Sequence, residues 1–344
     1  MRFGTFHLME LPNTKTAPQV YEEHLDQVKL ADTIGFDVVW LTEHHYSSKP
    51  HAPDVEGEYG ICPSPHVMAA AISQVTKNVR IGLAVKVLPL EHPVRTAEDA
   101  AMVDIMSGGR LDFGIGLGYR KYEFDGVGVP MEEKLERYRE AMEIIRGLWT
   151  TEEFSYDGKF WKVPRMTLVP RPIQQPHPPV WVASRMGTRQ VIEYAVENNY
   201  QLLSAWASHD ELHNTYDKFV EGRAEKGLAD EPFDFTCIRH VFVGENDAEA
   251  KRDGTEAVEY YFKSTALFRP IGEHERDNMI LGGPETCIDK MRQLRDETNV
   301  NHIICWMNFG GMDNEKVTRS MRLLSEAVMP VLRADTAAAS SAAQ

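Results

Sequence analysis

The segment Thr42-Glu43-His44-His45-Tyr46 sets a carboxylate beside two imidazoles, side chains suited to moving protons near neutral pH. The same groups are metal-ligand types. On extended chain, however, neighbouring side chains point to opposite faces, so Glu43, His44 and His45 cannot converge on one ion. The pattern therefore predicts acid/base work and no metal site. A lone loop histidine is more often satisfied by backbone hydrogen bonds; a place just past a strand favours chemistry for one of this pair.

Three further clusters have the same character. Gly114-Ile115-Gly116-Leu117-Gly118-Tyr119 has alternating glycines, which let backbone approach a ligand and free N–H groups for an anion. It is not the dinucleotide fingerprint, because positions 119 and 121 are Tyr119 and Lys121, and no Gly-Lys-Ser/Thr marks a phosphate-binding P-loop. A small-residue strand in a crowded interior is the plainer explanation. Ser184-Arg185-Met186-Gly187-Thr188, with Arg189 following, reads either as a phosphate seat at a helix start or as an ordinary cap by Thr188. Ser204-Ala205-Trp206 offers an indole that could flank a planar ring. Together, an acid/base, an anion seat and an aromatic wall suit a flat, phosphorylated cofactor.

The elements that must position these clusters alternate along the whole chain. Strands are expected at 2–8, 37–41, 79–85, 110–116, 179–183, 201–204, 235–243 and 302–307. Helical patterns fall at 19–34, 65–75, 93–106, 132–149, 188–197, 210–226, 248–262, 285–298 and 315–328. Residues 154–163 read as a hairpin around Asp157-Gly158. Eight strands, each followed by a helix, predict an α/β fold: a single (β/α)8 TIM barrel with insertions at its C-terminal face. The competitor is a doubly wound sheet with a second domain, but no shift in composition divides the chain. In the barrel, every cluster above falls at a strand's C-terminal tip, where barrel sites are built. The barrel is expected over 1–333, with a lid insertion at 263–283 and a disordered Ala/Ser-rich tail at 334–344.

Composition narrows the partners. Of 344 residues, 37 are Lys or Arg and 52 are Asp or Glu, a net charge of −15, which argues against nucleic acid. No apolar run is long enough to span a membrane. An acid, Glu10, interrupts the start before a signal segment could form. Cys62, Cys237, Cys287 and Cys305 lie far apart with no C-x-x-C pair, so neither a disulfide framework nor a zinc site is indicated. The expectation is a cytoplasmic protein.

Over nearly its whole length the chain resembles the bacterial luciferase-like, flavin-dependent monooxygenases. The resemblance is carried by Gly35-Phe36-Asp37-Val38-Val39-Trp40-Leu41-Thr42-Glu43-His44-His45 and by Val87-Leu88-Pro89-Leu90-Glu91-His92-Pro93-Val94-Arg95. Met106-Ser107-Gly108-Gly109-Arg110-Leu111-Asp112-Phe113-Gly114-Ile115-Gly116 is the third such string. It implies a barrel that uses reduced FMN and O₂ to oxygenate a small organic substrate. His44 would be the catalytic base and Glu43 the neighbouring acid that orients the site. The family's non-proline cis peptide would fall between Ala84 and Val85. Gly116, Leu117, Gly118 and Tyr119 match the flavin loop, Gly187 and Thr188 the phosphate loop, Trp206 the ring-side position, and Glu123-Phe124 an acid–Phe pair downstream. Leu117 stands where luciferases carry a phosphate-holding Arg, a role open here to Arg120, Arg185 or Arg189. Phe6, His7, Tyr46 and Trp306 are candidate pocket residues.

No NAD(P)H fingerprint is visible, so reduced flavin would come from a separate flavin reductase. A homodimer through the helices after strands two and three is also implied. The alternatives are a deazaflavin-dependent oxidoreductase transferring hydride without O₂, and a non-catalytic flavin-binding barrel.

Overall fold

The computed structural model describes residues 1–51, 55–184, 188–264 and 276–342. Eight parallel strands close on themselves: β1 (Arg2–His7), β2 (Val38–Leu41), β3 (Arg80–Leu83), β5 (Leu111–Gly116), β8 (Val180–Ser184), β9 (Gln201–Ala205), β10 (Phe235–Val243) and β12 (His302–Trp306). The ring shuts where β12 pairs with both β1 and β10, Gly4 lying opposite Ile304 and Ile238 opposite Ile304. This is the expected (β/α)8 barrel. Two short strands, β4 (Lys86–Val87) and β11 (Ile280–Gly282), extend β5 and β10 in parallel, and β6 (Phe154–Asp157) with β7 (Lys162–Met166) forms the hairpin insertion.

Glycines shape the interior. A Cβ on Gly4 or Gly82 would lie 2.8 or 2.2 Å from the Trp40 ring, so these flanking strands leave the slot in which that indole sits. Trp40 packs edge-on against Trp181 at 5.2 Å, filling the barrel with side chains rather than a pore.

The helices cover the strands and are set by their ends. In α1 (Ala17–Ile34) the Gln19 side chain accepts the Thr16 N–H at 2.8 Å, and Gly35 closes the helix at φ 89°. Ser208 and Glu211 make the reciprocal cap of α7 (His209–Glu225). α2 (Pro65–Val75) and α3 (Pro93–Ser107) both open with Pro, whose missing N–H costs nothing there. The remaining helices used below are α4 (Lys121–Val127), α5 (Lys134–Thr150), α6 (Arg189–Glu197) and α8 (Asp247–Ser264). Among the described residues, no helix is long and apolar enough to cross a membrane.

One sequence expectation changes. The final helix runs Met329–Ala342, so most of the expected disordered tail from 334 is helical. Alanine-rich sequence has high helix propensity, and Asp335 ties the segment to Arg292 at 2.8 Å. The 263–283 lid insertion falls largely on residues 265–275, outside the described residues; its end holds β11. The seven-residue α4 has too short an apolar period to be read from sequence, yet it carries a site residue.

Candidate active site

The C-terminal strand ends surround a cavity of about 470 Å³, the size of a cofactor or small-molecule site. Phe6, Leu8, Val85, Leu203 and Ile238 make much of its wall apolar, and His44, Tyr59 and His240 bring polar atoms to it.

His44 follows β2, and its backbone N–H donates to Cys62 O at 3.1 Å. Its Nδ1 lies 3.0 Å from Glu123 Oε1, which also accepts the His45 backbone N–H at 3.1 Å. Since that oxygen is already an acceptor, Nδ1 carries the hydrogen and Nε2 is the nitrogen with the lone pair. Burial pulls the His44 pKa down and the Glu123 carboxylate offsets this only in part, so the net shift is downward. A neutral, oriented imidazole at the cavity wall can accept a proton. Glu123 reaches it from α4, 79 positions along the chain.

Glu43 bonds to partners other than the His44 ring. Its Oε1 accepts from Lys86 Nζ at 2.6 Å and lies 3.0 Å from His45 Nε2, while Oε2 accepts the Val87 N–H at 2.6 Å. Burial would raise this carboxyl, but Lys86, His45 and the Val87 amide together hold it below the usual range. Lys86 is buried as well, and its attraction to Glu43 and Glu91 outweighs that burial and raises its pKa. Glu43 thus clamps the chain after β3 against the end of β2. That chain includes the Ala84–Val85 peptide, which is cis. Both Ala84 and Val85 line the cavity.

The glycine cluster answers first to packing. A Cβ on Gly114 would fall 1.7 Å from Leu83 O, and one on Gly116 would fall 2.4 Å from the Val85 side chain. Gly118 turns the chain at φ 72°. Gly116, Leu117, Gly118 and Tyr119 nevertheless all reach the cavity wall.

Trp206 reaches it from the end of β9, at φ 53°, a left-handed conformation that costs an ordinary residue about 1–2 kcal/mol. Its Nε1 is buried and has no acceptor among the described residues. An acceptor-bearing planar ring in the cavity would satisfy that N–H, and on this test the residues present fit a flavin. Thr188 precedes α6 but its side chain makes no cap bond, leaving the hydroxyl and the Arg189 and Gln190 amides for an anion, while the Val191 N–H donates to Thr188 O at 2.9 Å. Arg185 and Gly187 lie outside the described residues. Arg189 is exposed and paired with Glu193 at 2.6 Å, away from the cavity.

The other pocket candidates divide. Phe6 is on the wall, whereas His7 is buried off it, 2.9 Å from His24 and 2.8 Å from Thr5. Tyr46 is exposed, and Trp306 is buried behind His240, stacked on it at 4.4 Å. Sequence reading missed Tyr59, His240 and Tyr261 as wall residues. Only the alternation along β10, which turns Ile238 and His240 to one face, could have pointed to His240. Among the described residues, no group of three His, Cys, Asp or Glu is arranged to hold a metal.

The family model described as luciferase-like monooxygenase matches residues 1–302. The oxygenase component of a flavin-dependent trigonelline monooxygenase from Acinetobacter baylyi is 28% identical, over 96% of this chain and 95% of that protein. The alkanal monooxygenase alpha chain of the Kryptophanaron alfredi symbiont is 26% identical, covering 97% and 99%. The crystal structure of a monooxygenase from Streptomyces bottropensis superposes with a TM-score of 0.85 at 27% identity, covering 96% of this chain and all of that one.

Proposed function

The chain belongs to the luciferase-like monooxygenase family, and from that premise we propose how its cavity is used. The enzyme is a flavin-dependent monooxygenase that works with FMN and O₂ and takes its reduced flavin from a separate reductase. When bound, reduced FMN supplies the two electrons with which one atom of O₂ enters an organic substrate and the other leaves as water.

The observation that carries the assignment of roles is the His44–Glu123 pair on the cavity wall. Glu123 holds the ring with Nδ1 protonated, and Nε2 takes a proton from the reacting centre as general base. Trp206 would stand beside the flavin ring, and Leu117, Gly118 and Tyr119 would border it. The phosphate would be received by Thr188 and the first turn of α6, with Gly187 before them in the sequence. Glu43 is a positioning residue, holding Ala84 and Val85 at the wall through Lys86 and the Val87 amide. The apolar lining excludes water, as oxygen chemistry on a reduced cofactor requires. The substrate is a small organic molecule that fits the remaining space.

The test is an anaerobic titration with photoreduced FMN, followed by mixing with aerated buffer. Saturable binding, and reoxidation slower than that of free reduced FMN, are expected. Failure to bind, or reoxidation as fast as in free solution, would remove the oxygenase reading of this cavity.

The exposed side chains Val67 and Val75 of α2 and Met102, Ile105 and Met106 of α3 form an apolar face suited to a second copy. This supports a homodimer, and a monomeric mass by sedimentation at micromolar concentration would count against it. The four cysteines are free and buried, which suits the cytoplasm.

A further inference from the structure

Arg120 opens α4 three positions before Glu123, and only 6% of it is exposed. Its guanidinium lies on the face of Tyr59, 3.8 Å from the ring centre, with Tyr119 at 5.2 Å and Tyr122 at 6.0 Å. Nε and Nη2 are buried and have no acceptor, and among the described residues no carboxylate lies within ion-pair distance. An arginine keeps its charge under any protein condition, so this is a permanent cation withdrawn from water without a counter-ion. The tyrosine faces offset part of that cost by cation–π attraction, but a ring face accepts no N–H fork.

The place of this cation gives it a use. Tyr59 and Tyr119 both line the cavity, and the Tyr59 ring lies 4.7 Å from that of His44. Arg120 is therefore one ring away from the proposed general base. None of its ring partners comes from the loop after β8, where the flavin phosphate is assigned. Nε and Nη2 are also the adjacent donors that meet the two oxygens of a carboxylate side by side. Tyr119, although it borders the cavity, is 57% exposed, so its ring can turn to admit an acceptor.

We propose that Arg120 is the specificity-determining residue of the substrate pocket and that the substrate carries a carboxylate, held by Nε and Nη2 after Tyr119 swings aside. This rests on the oxygenase reading of the cavity, which it narrows to anionic substrates.

The test uses the full chain, with and without FMN, and two matched pairs of probes: benzoate with benzamide and hexanoate with hexanamide. Binding is followed by calorimetry and by tryptophan fluorescence. At least one acid is expected to bind tenfold or more tightly than its amide, and Arg120→Gln to remove that preference while leaving amide binding in place. Arg120→Lys, which keeps the charge but loses the fork, should retain part of it.

If neither acid is preferred over its amide, or if the preference survives in Arg120→Gln, the proposal is overturned. It is also overturned if Arg120→Gln weakens FMN but not riboflavin, because the cation would then serve the cofactor phosphate. An unchanged riboflavin affinity and a thermal midpoint no lower than the parent's show that the variants are folded. Charge preference is read without turnover, so failure to bind reduced FMN would strike the oxygenase reading separately.

Discussion

Arg80 and Arg120 sit at opposite ends of the barrel and are treated in opposite ways. Arg80 begins β3 at the bottom, and every nitrogen of its guanidinium is engaged. Nε and Nη2 reach Asp112 at 3.0 and 2.7 Å, Nη1 reaches Gly109 O at 3.3 Å, and Nη2 also reaches Leu111 O and Gln174. Arg120, at the mouth, is more deeply buried and leaves two nitrogens unmet. The carboxylates near the mouth show the same division. Both Glu43 and Glu123 border the cavity, but Glu43 is held by three donors of its own neighbourhood, whereas Glu123 holds the His44 ring. A buried charge whose hydrogen bonds are all taken is committed to stability, since nothing remains to meet a ligand. A buried group left open keeps a cost that a bound molecule can relieve.

The comparison can be broken from either end. The largest effect is expected at the mouth: His44→Ala should lower substrate oxygenation by about 10²-fold or more while reduced FMN still binds and the urea midpoint barely moves. A stability loss that accounts for the missing turnover would place His44 among the saturated, structural groups. At the bottom the signature should invert. Asp112→Ala strips Arg80 of its main partner, and because Arg80 is partly exposed the loss should be about 2 kcal/mol in urea unfolding, with turnover per folded molecule unchanged. A fall in turnover without loss of stability would show that the bottom of the barrel is not merely a foundation.

The smallest effect sharpens what an open group means away from the cavity. His66, on α2, is stacked on Phe113, and its Nε2 has no partner. Burial lowers its pKa from 6.5 to about 3, so the folded state binds its proton less readily than the unfolded state. Stability from this group is complete above pH 6.5 and is lost as the pH falls from 6.5 towards 3. His66→Phe should flatten the acid limb of the stability curve by about 1 kcal/mol per pH unit in that window, with no change in turnover. An unaltered slope would mean that this imidazole is already hydrated or protonated in the folded protein.

Much of this protein is written in short stretches of chain. The apolar runs of Val38–Leu41 and Phe235–Val243, and the helices opening at Pro65 and Pro93, follow from spacing and caps that involve neighbours in sequence. The order of those elements is enough to require a barrel, and the barrel is enough to bring 43–46, 116–119, Ser184, Thr188 and 204–206 to one end. What the adjacent Glu43 and His44 each bond to, and which carboxylate serves the histidine, depend on contacts between distant segments. Glu43 turns to Lys86 and Val87, and Glu123 crosses from a helix too short to announce itself. The same holds for Arg120, which packs on three tyrosine rings and meets no carboxylate among the described residues. Local pattern determines backbone conformation because its forces act between near neighbours. Hydrogen-bond partners and counter-ions are chosen through space, after the chain has closed.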